Sequence, residues 1–213
     1  MSADLAPALE AGLDQLGLAM PCEARDKLLA YVDLLAKWNA TYNLTAIRDR
    51  SQMVSLHLLD SLCVARYLKP GTLLDVGSGG GLPGIPLAIY AGSGLPSLKI
   101  TVLDSNHKKA AFLRQAKAEL KLGNLDVSNE RSEAWQPETR YTQIISRAFS
   151  DLFEFFHLTQ HLGAPGCEWL AMKGVHPHDE IAQLPPECKL DKVHTLKVPG
   201  LDAERHLVVL RAA

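Results

Sequence analysis

No apolar run in the 213-residue sequence approaches the ~20 residues that cross a bilayer, and the start MSADLAPALEAG lacks the basic residues and apolar stretch of a secretory leader. A cytoplasmic protein without a membrane contact is expected. Cysteine is sparse, and Cys22, Cys63, Cys167 and Cys188 form no C-x-x-C pair, which argues against a disulfide framework or a zinc site. They read as small buried or half-buried thiols. The histidines offer His57 with Asp60, His157 with His161, and His176-Pro177-His178, each without a third ligand in view, so no metal is expected. Net positive charge is missing too, since 22 bases face 24 acids for a formal charge of −2. Any nucleic-acid contact must therefore come from a local patch and not from a global field. Such a patch has room, because residues 1–39 hold six acids and three bases, leaving 19 bases against 18 acids in the remainder.

No internal repeat or low-complexity tract appears, and the length favours one domain with a modest extension. Residues 1–70 read as helical. Leu28, Val32, Leu35 and Trp38 recur at three- and four-residue steps over Glu23 to Asn39, and Met53, Leu56, Leu59 and Cys63 or Val64 do so over Ser51 to Leu68. Pro70-Gly71 punctuates the chain. From there short apolar runs alternate with helical patterns: strands over Thr72–Val76, Lys99–Asp104, Leu125–Ser128, Gln143–Arg147 and Trp169–Lys173, with a helix over His107–Leu120 carrying Ala110, Leu113, Ala116 and Leu120 on one face. That grammar implies β-α-β units in a doubly wound, mostly parallel α/β sheet over residues 71–213. Val193–Val198 and His206–Leu210 are too close for a helical crossover and should form an antiparallel hairpin.

The first strand ends in Asp75-Val76-Gly77-Ser78-Gly79-Gly80-Gly81, a D-x-G-x-G-x-G pattern. Glycine at these positions lets backbone pass closely under a ligand at dihedrals that a Cβ makes costly. Leu82 to Ile89 reads as a helix start, with prolines where a missing N–H costs nothing and free N–H groups turned toward the ligand. Two ligands fit such a turn. Gly79-Gly80-Gly81-Leu82-Pro83-Gly84 also satisfies the dinucleotide pattern G-x-G-x-x-G, which would make the chain a nicotinamide-dependent oxidoreductase. That register starts too late after the strand, and the earlier register has Leu82 where glycine is required, so S-adenosylmethionine is favoured. Asp75, Gly77 and Gly79 are candidate cofactor residues, and Asp104, closing the second strand, is placed to hold two ribose hydroxyls under either reading.

The wider pattern is specific. Lys37-Trp38-Asn39, Tyr42-Asn43-Leu44-Thr45, His57-Leu58-Leu59-Asp60-Ser61, Asp75 through Pro86, Leu103-Asp104-Ser105, Phe112-Leu113-Arg114, Ser146-Arg147-Ala148-Phe149, Lys173-Gly174 and Glu204-Arg205-His206-Leu207 together span nearly the whole chain. In these the sequence resembles the ribosomal RNA small subunit methyltransferase G family, also called glucose-inhibited division protein B. The resemblance implies a class I methyltransferase fold and methyl transfer from S-adenosylmethionine to N7 of guanine 527 in the 530 loop of 16S RNA. It also implies cofactor contacts at Gly77, Leu82, Ser132, Glu133 and Arg147. The expected partner is 16S RNA in a small-subunit particle, with the chain acting as a monomer. A non-catalytic RNA-binding assembly factor with the same fold is the remaining alternative.

Guanine N7 carries an in-plane lone pair and no proton at neutral pH, so it can attack a sulfonium methyl directly and no general base is expected. Catalysis reduces to alignment and electrostatics. In keeping with this, no N-P-P-Y-like motif for an exocyclic amine is present, and Cys167 and Cys188 lie in segments remote from the turn. Arg147, after Ile144-Ile145-Ser146, is expected nearest the reacting methyl group as a positioning residue, holding the cofactor carboxylate or guanine O6. Phe149 is a core aromatic or a platform for a splayed base. Glu133 is placed to accept from the adenine amino group. His57 and Asp60, three apart on a helix, are expected to pair and lock the helical region to the sheet. Asn43, Arg48, Arg50, Lys108, Lys109, Arg114, Lys173, Arg205 and His206 are the candidate RNA contacts.

Overall fold

In a computed structural model, which describes residues 4–213, the chain is organised by one twisted sheet. Its strands are β1 (Gly71–Val76), β2 (Leu98–Leu103), β3 (Leu125–Ser128), β4 (Tyr141–Ser146), β5 (Gly163–Lys173), β6 (Cys188–Leu196) and β7 (Arg205–Ala212), in the spatial order β3-β2-β1-β4-β5-β7-β6. Strands β1 to β5 pair in parallel, and β7 lies antiparallel between β5 and β6. The doubly wound α/β sheet with an antiparallel hairpin at its end is thus the fold that forms. Leu73, Leu74 and Val76 of β1 are all buried, as a central strand covered on both faces requires. Strand order reverses between β1 and β4, so the crevice beyond their carboxyl ends is where a ligand of such a sheet sits.

Two strands start well before the apolar runs that signal them. β5 begins six residues ahead of Trp169, in a stretch holding Pro165 and Gly166, and its pairing with β4 shifts register there. β6 begins five residues ahead of Val193, with Lys189, Asp191 and Lys192 exposed on an edge strand, where charge discourages further pairing.

The helical N-terminal part starts with α1 (Ala6–Leu16) and α2 (Cys22–Tyr42); the first three positions of the expected stretch lie outside the described residues. Leu28, Val32 and Leu35 of α2 are fully buried, each contributing about 1.5–3 kcal/mol of apolar transfer. The expected single helix over Ser51 to Leu68 is a correction. It is broken into α3 (Arg50–Met53), a π-helix (Val54–Leu59), α4 (Asp60–Leu62) and a 3-10 turn (Ala65–Tyr67). The wider π turn rotates the face, so that Leu56 is only half buried while His57 and Asp60 point inward. Gly12 of α1 lets the two elements meet, because a Cβ there would lie 2.2 Å from Leu59 Cδ1.

After β1 come α5 (Gly84–Gly94), α6 (His107–Glu119), α7 (Leu152–Thr159) and the short α8 (His178–Ala182). Asn106 caps α6 by accepting from the amides of Lys108 and Lys109, and Ala110, Leu113, Ala116 and Leu120 are buried as their spacing predicts. One apolar cluster runs from α1 and α2 through α5 and α6 onto the sheet, while a second, around Phe155, Phe156 and Trp169, lies under α7 on the other face. From α2, the fully buried Tyr31 donates its hydroxyl to the carbonyl of Gly80 at 2.5 Å. The N-terminal helices therefore hold the glycine turn from behind.

Beneath that turn Asp75 is a buried strut. Its Oδ2 accepts from Ser78 Oγ at 2.5 Å and from the Gly84 amide at 2.9 Å, while its Oδ1 is buried without a partner. Burial outweighs those hydrogen bonds and pushes its carboxyl up from the ordinary 3.8 to about 6.

Two outcomes are expected. At Gly84 an added Cβ would meet Val102 Cγ1 at 2.4 Å and Asp75 Oδ2 at 2.7 Å, so Gly84→Ala should cost about 1–3 kcal/mol in urea unfolding. For Asp75 the folded chain holds a proton that the unfolded chain releases, so its contribution to stability falls as pH rises from about 4 to about 6. The stability difference between wild type and Asp75→Asn should shift against wild type across that window and level off above it; a difference independent of pH would refute the assignment.

Candidate functional site

Two cavities open side by side at the carboxyl ends of the central strands. The first, of about 450 Å³, is walled by Gly77, Asp104, Ser105, Asn106, Lys109, Glu130, Arg131, Ser132, Glu133, Ala148 and Phe149, with Val76 and Leu103 at its base. The second, of about 410 Å³, is walled by Ile47, Leu56, His57, Asp60, Arg147, Met172, Lys173, Gly174, Leu196, Arg205 and His206. They flank the segment that leaves β4, with Arg147 in one wall and Ala148 in the other. That segment is held rigidly: Ser146 Oγ donates to the Val76 carbonyl at 2.7 Å and accepts from the Ala148 amide at 3.1 Å.

The first cavity has the geometry expected of the glycine turn. Gly77, Gly79 and Gly81 have φ of 70°, 60° and 89°, which residues with a Cβ adopt only at a cost. A Cβ on Gly77 would also lie 2.9 Å from that of Ala148. Asp104 closes the far wall, its Oδ2 accepting from the Gly79 amide and its Oδ1 from the Asn106 amide, both at 2.9 Å. Each carboxylate oxygen keeps a lone pair for a ligand hydroxyl. Ser132 donates to Glu133 at 3.2 Å on the rim, in a turn and not at a helix start. Glycine without side chains, a carboxylate for paired hydroxyls and a polar rim suit a nucleoside such as S-adenosylmethionine.

Some of the residues expected to contact the cofactor do not line this cavity. Asp75 lies under the turn as its strut, and Leu82 is buried outside the cavity wall. The free N–H groups expected at the start of α5 are spent, which is a correction: Gly84 donates to Asp75, Ile85 to the Gly81 carbonyl and Leu87 to the Pro83 carbonyl, while Pro86 has no N–H. Arg147 stands immediately after β4, as its position predicts, but its side chain lines the second cavity and not the one holding Gly77.

The second cavity is built on Asp60, only 2 % exposed. Its Oδ2 accepts from Arg147 Nη1 at 2.8 Å and its Oδ1 from Arg205 Nε at 2.7 Å. Arg147 Nη1 also reaches the Leu56 carbonyl of the π-helix at 3.2 Å. The expected pairing of His57 with Asp60 is corrected by this arrangement, because the carboxylate is taken by two guanidiniums that bind it more strongly than an imidazole would. His57 instead donates from Nδ1 to the Leu56 carbonyl and accepts at Nε2 from Thr45 Oγ1, each at 2.9 Å, and burial lowers its pKa. Asn39 orders the loop above, accepting from the Thr45 amide at 2.9 Å and donating to the Ile47 carbonyl at 3.2 Å.

Of the remaining candidates, Asn43 and Arg48 meet at 3.3 Å on that loop, both exposed, and Lys108 is exposed at the start of α6. Lys109 faces Asp104 at 3.9 Å, Arg114 is exposed farther along α6, and Arg50 is paired with Asp33. Lys173 is a clasp: its ammonium donates to the carbonyls of Phe149 and Ser150 and to Glu180, which spends all three of its N–H groups. Phe149 is half buried, 5.3 Å from Phe155, with its edge in the first cavity. Burial pushes the thiols of Cys63 and Cys167 up to about 12 and that of Cys188 to about 11, so all three are protonated at neutral pH.

Sequence comparison agrees with this geometry. The family model described as rRNA small subunit methyltransferase G matches residues 24–208. The chain is 52% identical over 204 residues to Ribosomal RNA small subunit methyltransferase G of Pseudomonas paraeruginosa, covering 95% of this chain and 94% of the relative. The protein of the same name from Laribacter hongkongensis is 54% identical over 202 residues, covering 95% and 96%. Among solved structures, a ribosomal protein methylase from Lactobacillus delbrueckii subsp. bulgaricus superposes with a TM-score of 0.55 at 12% identity, over 79% of this chain and 89% of that one. TrmN from Thermus thermophilus gives 0.53 at 17% identity, over 72% and 47%. These two likenesses speak to the fold alone. On the family match and the identity to its members, the chain belongs to the rRNA small subunit methyltransferase G family.

Proposed function

We propose that the chain transfers a methyl group from S-adenosylmethionine to N7 of guanine 527 in the 530 loop of 16S ribosomal RNA, acting as a cytoplasmic monomer on a small-subunit particle. The observation that carries this reading is the pair of adjoining cavities divided by Arg147 and Ala148, one lined by bare backbone and a carboxylate, the other by two guanidiniums. Family membership supplies the substrate class, through the name its members carry.

S-adenosylmethionine, when bound, supplies an electrophilic methyl group. Gly77 and Gly79 form its bed, Asp104 accepts from the ribose hydroxyls, and Ser132 and Glu133 face the adenine. Arg147 holds the base side of the partition, next to the bed but outside it. In this reading residues 1–70 extend the methyltransferase domain of 71–213 by bracing the glycine turn from behind through Tyr31 and by supplying part of the base-side wall through Asp60. The target guanine enters the second cavity, and Asn43, Arg48 and Lys108 border the approach of the strand.

Removal of a proton from the substrate is not part of this chemistry. Both oxygens of Asp60 are held by guanidiniums and both nitrogens of His57 are bonded, so neither group is poised as a base. Their work is to fix the wall against which N7 is aligned, and alignment is a large share of what such a reaction needs.

Tritium from labelled S-adenosylmethionine should enter 16S RNA of subunits lacking the mark, and aniline treatment should cut the product strand at the modified guanine; labelled RNA that resists aniline would rule out N7. Gly77→Arg should abolish both transfer and S-adenosylhomocysteine binding by calorimetry. Lys108→Ala should raise the KM for RNA about two- to fivefold and reduce the salt slope of binding by about one, leaving cofactor affinity in place.

A further inference from the structure

The second cavity offers an unequal set of unspent hydrogen-bonding groups. Arg147 uses Nη1 on Asp60 and Leu56, and Arg205 uses Nε on Asp60 and Nη1 on the Glu204 carbonyl at 2.8 Å. The Nη2 groups of both remain as donors among the described residues. On the acceptor side, each Asp60 oxygen is buried in the wall behind the guanidinium it accepts from, and His57 Nε2 is taken. His206 differs. Its Nδ1 lies 2.8 Å from the Gly174 carbonyl, which can only accept, so Nδ1 carries a proton, and in the tautomer with one proton Nε2 presents a lone pair. That Nε2 has no partner among the described residues, and the ring lines the cavity.

Donors from two guanidiniums beside one imidazole acceptor complement one purine edge. Guanine presents O6 as acceptor next to N1–H and N2–H as donors. Adenine presents an amino group where O6 would be and a lone pair at N1, so it sets donor against donor and acceptor against acceptor. Pyrimidines have no N7. We infer that His206 Nε2 accepts from the N1–H or N2–H of the target guanine while Arg147 and Arg205 donate to its O6, making His206 a specificity-determining residue and Asp60 the positioning residue that aims both arginines. Contacts on O6 and N1 leave N7 free on the opposite side of the carbonyl. This rests on the guanine-N7 reading above and adds to it the groups that choose the base.

Asp60 can aim the arginines because it is buried and has no freedom of its own. Its two oxygens face different strands, β4 and β7, so each guanidinium is fixed at one end and points its remaining donors away from the carboxylate. A mobile arginine would donate to either purine's N7 as readily as to O6, which would block the reacting atom. Fixing the donors is therefore also what protects N7.

The test uses the full chain and small subunits rebuilt with 16S RNA bearing guanine, inosine or adenine at the target, with initial methylation rates and S-adenosylhomocysteine affinity as readouts. Inosine keeps O6 and N1–H. Wild type should accept guanine and inosine and disfavour adenine by about a hundredfold or more, since a site built to hydrogen-bond a group penalises the analogue that reverses it. His206→Leu should lower the guanine rate about tenfold and narrow the guanine-to-adenine ratio, with cofactor affinity within about twofold. His206→Asn, which restores a carbonyl acceptor, should recover much of the loss. Asp60→Asn should narrow the same ratio without the rescue. An unchanged ratio in both His206→Leu and Asp60→Asn would overturn the inference, as would loss of cofactor affinity in parallel with rate in both, which marks a purely structural role. A wild-type protein that methylates none of the three RNAs would instead overturn the parent reading.

Discussion

The functional end of this molecule depends on one buried carboxylate held by two guanidiniums. Asp60 sits in the helical N-terminal part, Arg147 follows β4, and Arg205 opens β7. Removing a carboxylate and two cations from water costs several kcal/mol per ion, and such a cluster persists only where each charge is met with good geometry. Bonds of 2.7 and 2.8 Å on separate oxygens meet that condition. The cluster places one net positive charge in the wall of a cavity, in a chain whose formal charge is −2. Breaking it from the carboxylate side leaves two facing guanidiniums and removes one of the ties between the helices and the sheet.

The same helices reach the other cavity by a different route. Tyr31 fastens Gly80 from behind, and Trp38 packs edge-on against Phe112 of α6 at 5.6 Å. Asp75 braces the turn from below, at the cost of carrying an unpartnered oxygen in a buried place. Between the cavities, Ser146 pins the exit of β4, and Lys173 clasps the carbonyls of Phe149 and Ser150. The stretch Ser146-Arg147-Ala148-Phe149 is thus a fixed partition, and a ligand in one cavity meets a ligand in the other across a single residue pair. Rigidity here serves alignment, where a displacement of an ångström is expensive in rate.

What could be read from the sequence was whatever repeats locally. The apolar run of β1, the glycine spacing after it, the acid ending β2 and the capped, periodic α6 all announce themselves within a few residues, and each forms where its pattern places it. Misreadings arise where tertiary contacts override local period. The π-helix over Val54–Leu59 breaks a pattern that reads as an ordinary helix, because the extra residue brings Asp60 to partners 87 and 145 residues away. No local signal carries that distance. His57 and Asp60 were visible as a polar pair on an apolar face, but the arginines that claim the carboxylate were not. Lys173 likewise reads as a free cation until its three acceptors are in place. The spent N–H groups of α5 follow from Asp75 and the Gly81 carbonyl, neither of which the helix-start pattern reveals.

Charge balance also bears on how a cycle would end. A guanine methylated at N7 carries a positive charge that the substrate base lacks. In the second cavity that charge would appear beside a cluster already holding a net positive charge. Unit charges 4 Å apart repel by about 1 kcal/mol in water and about 4 kcal/mol at a partly buried surface. The donors that suit neutral guanine through O6 therefore suit the methylated base less well, and the wall that selects the substrate also weakens the hold on the product. Asp60 sets the scale of both effects: without its negative charge the cavity would repel the developing cation through two uncompensated guanidiniums, and with a second carboxylate it would retain the product. In the proposed reading, one acid against two bases positions the neutral base and opposes retention of the cationic product.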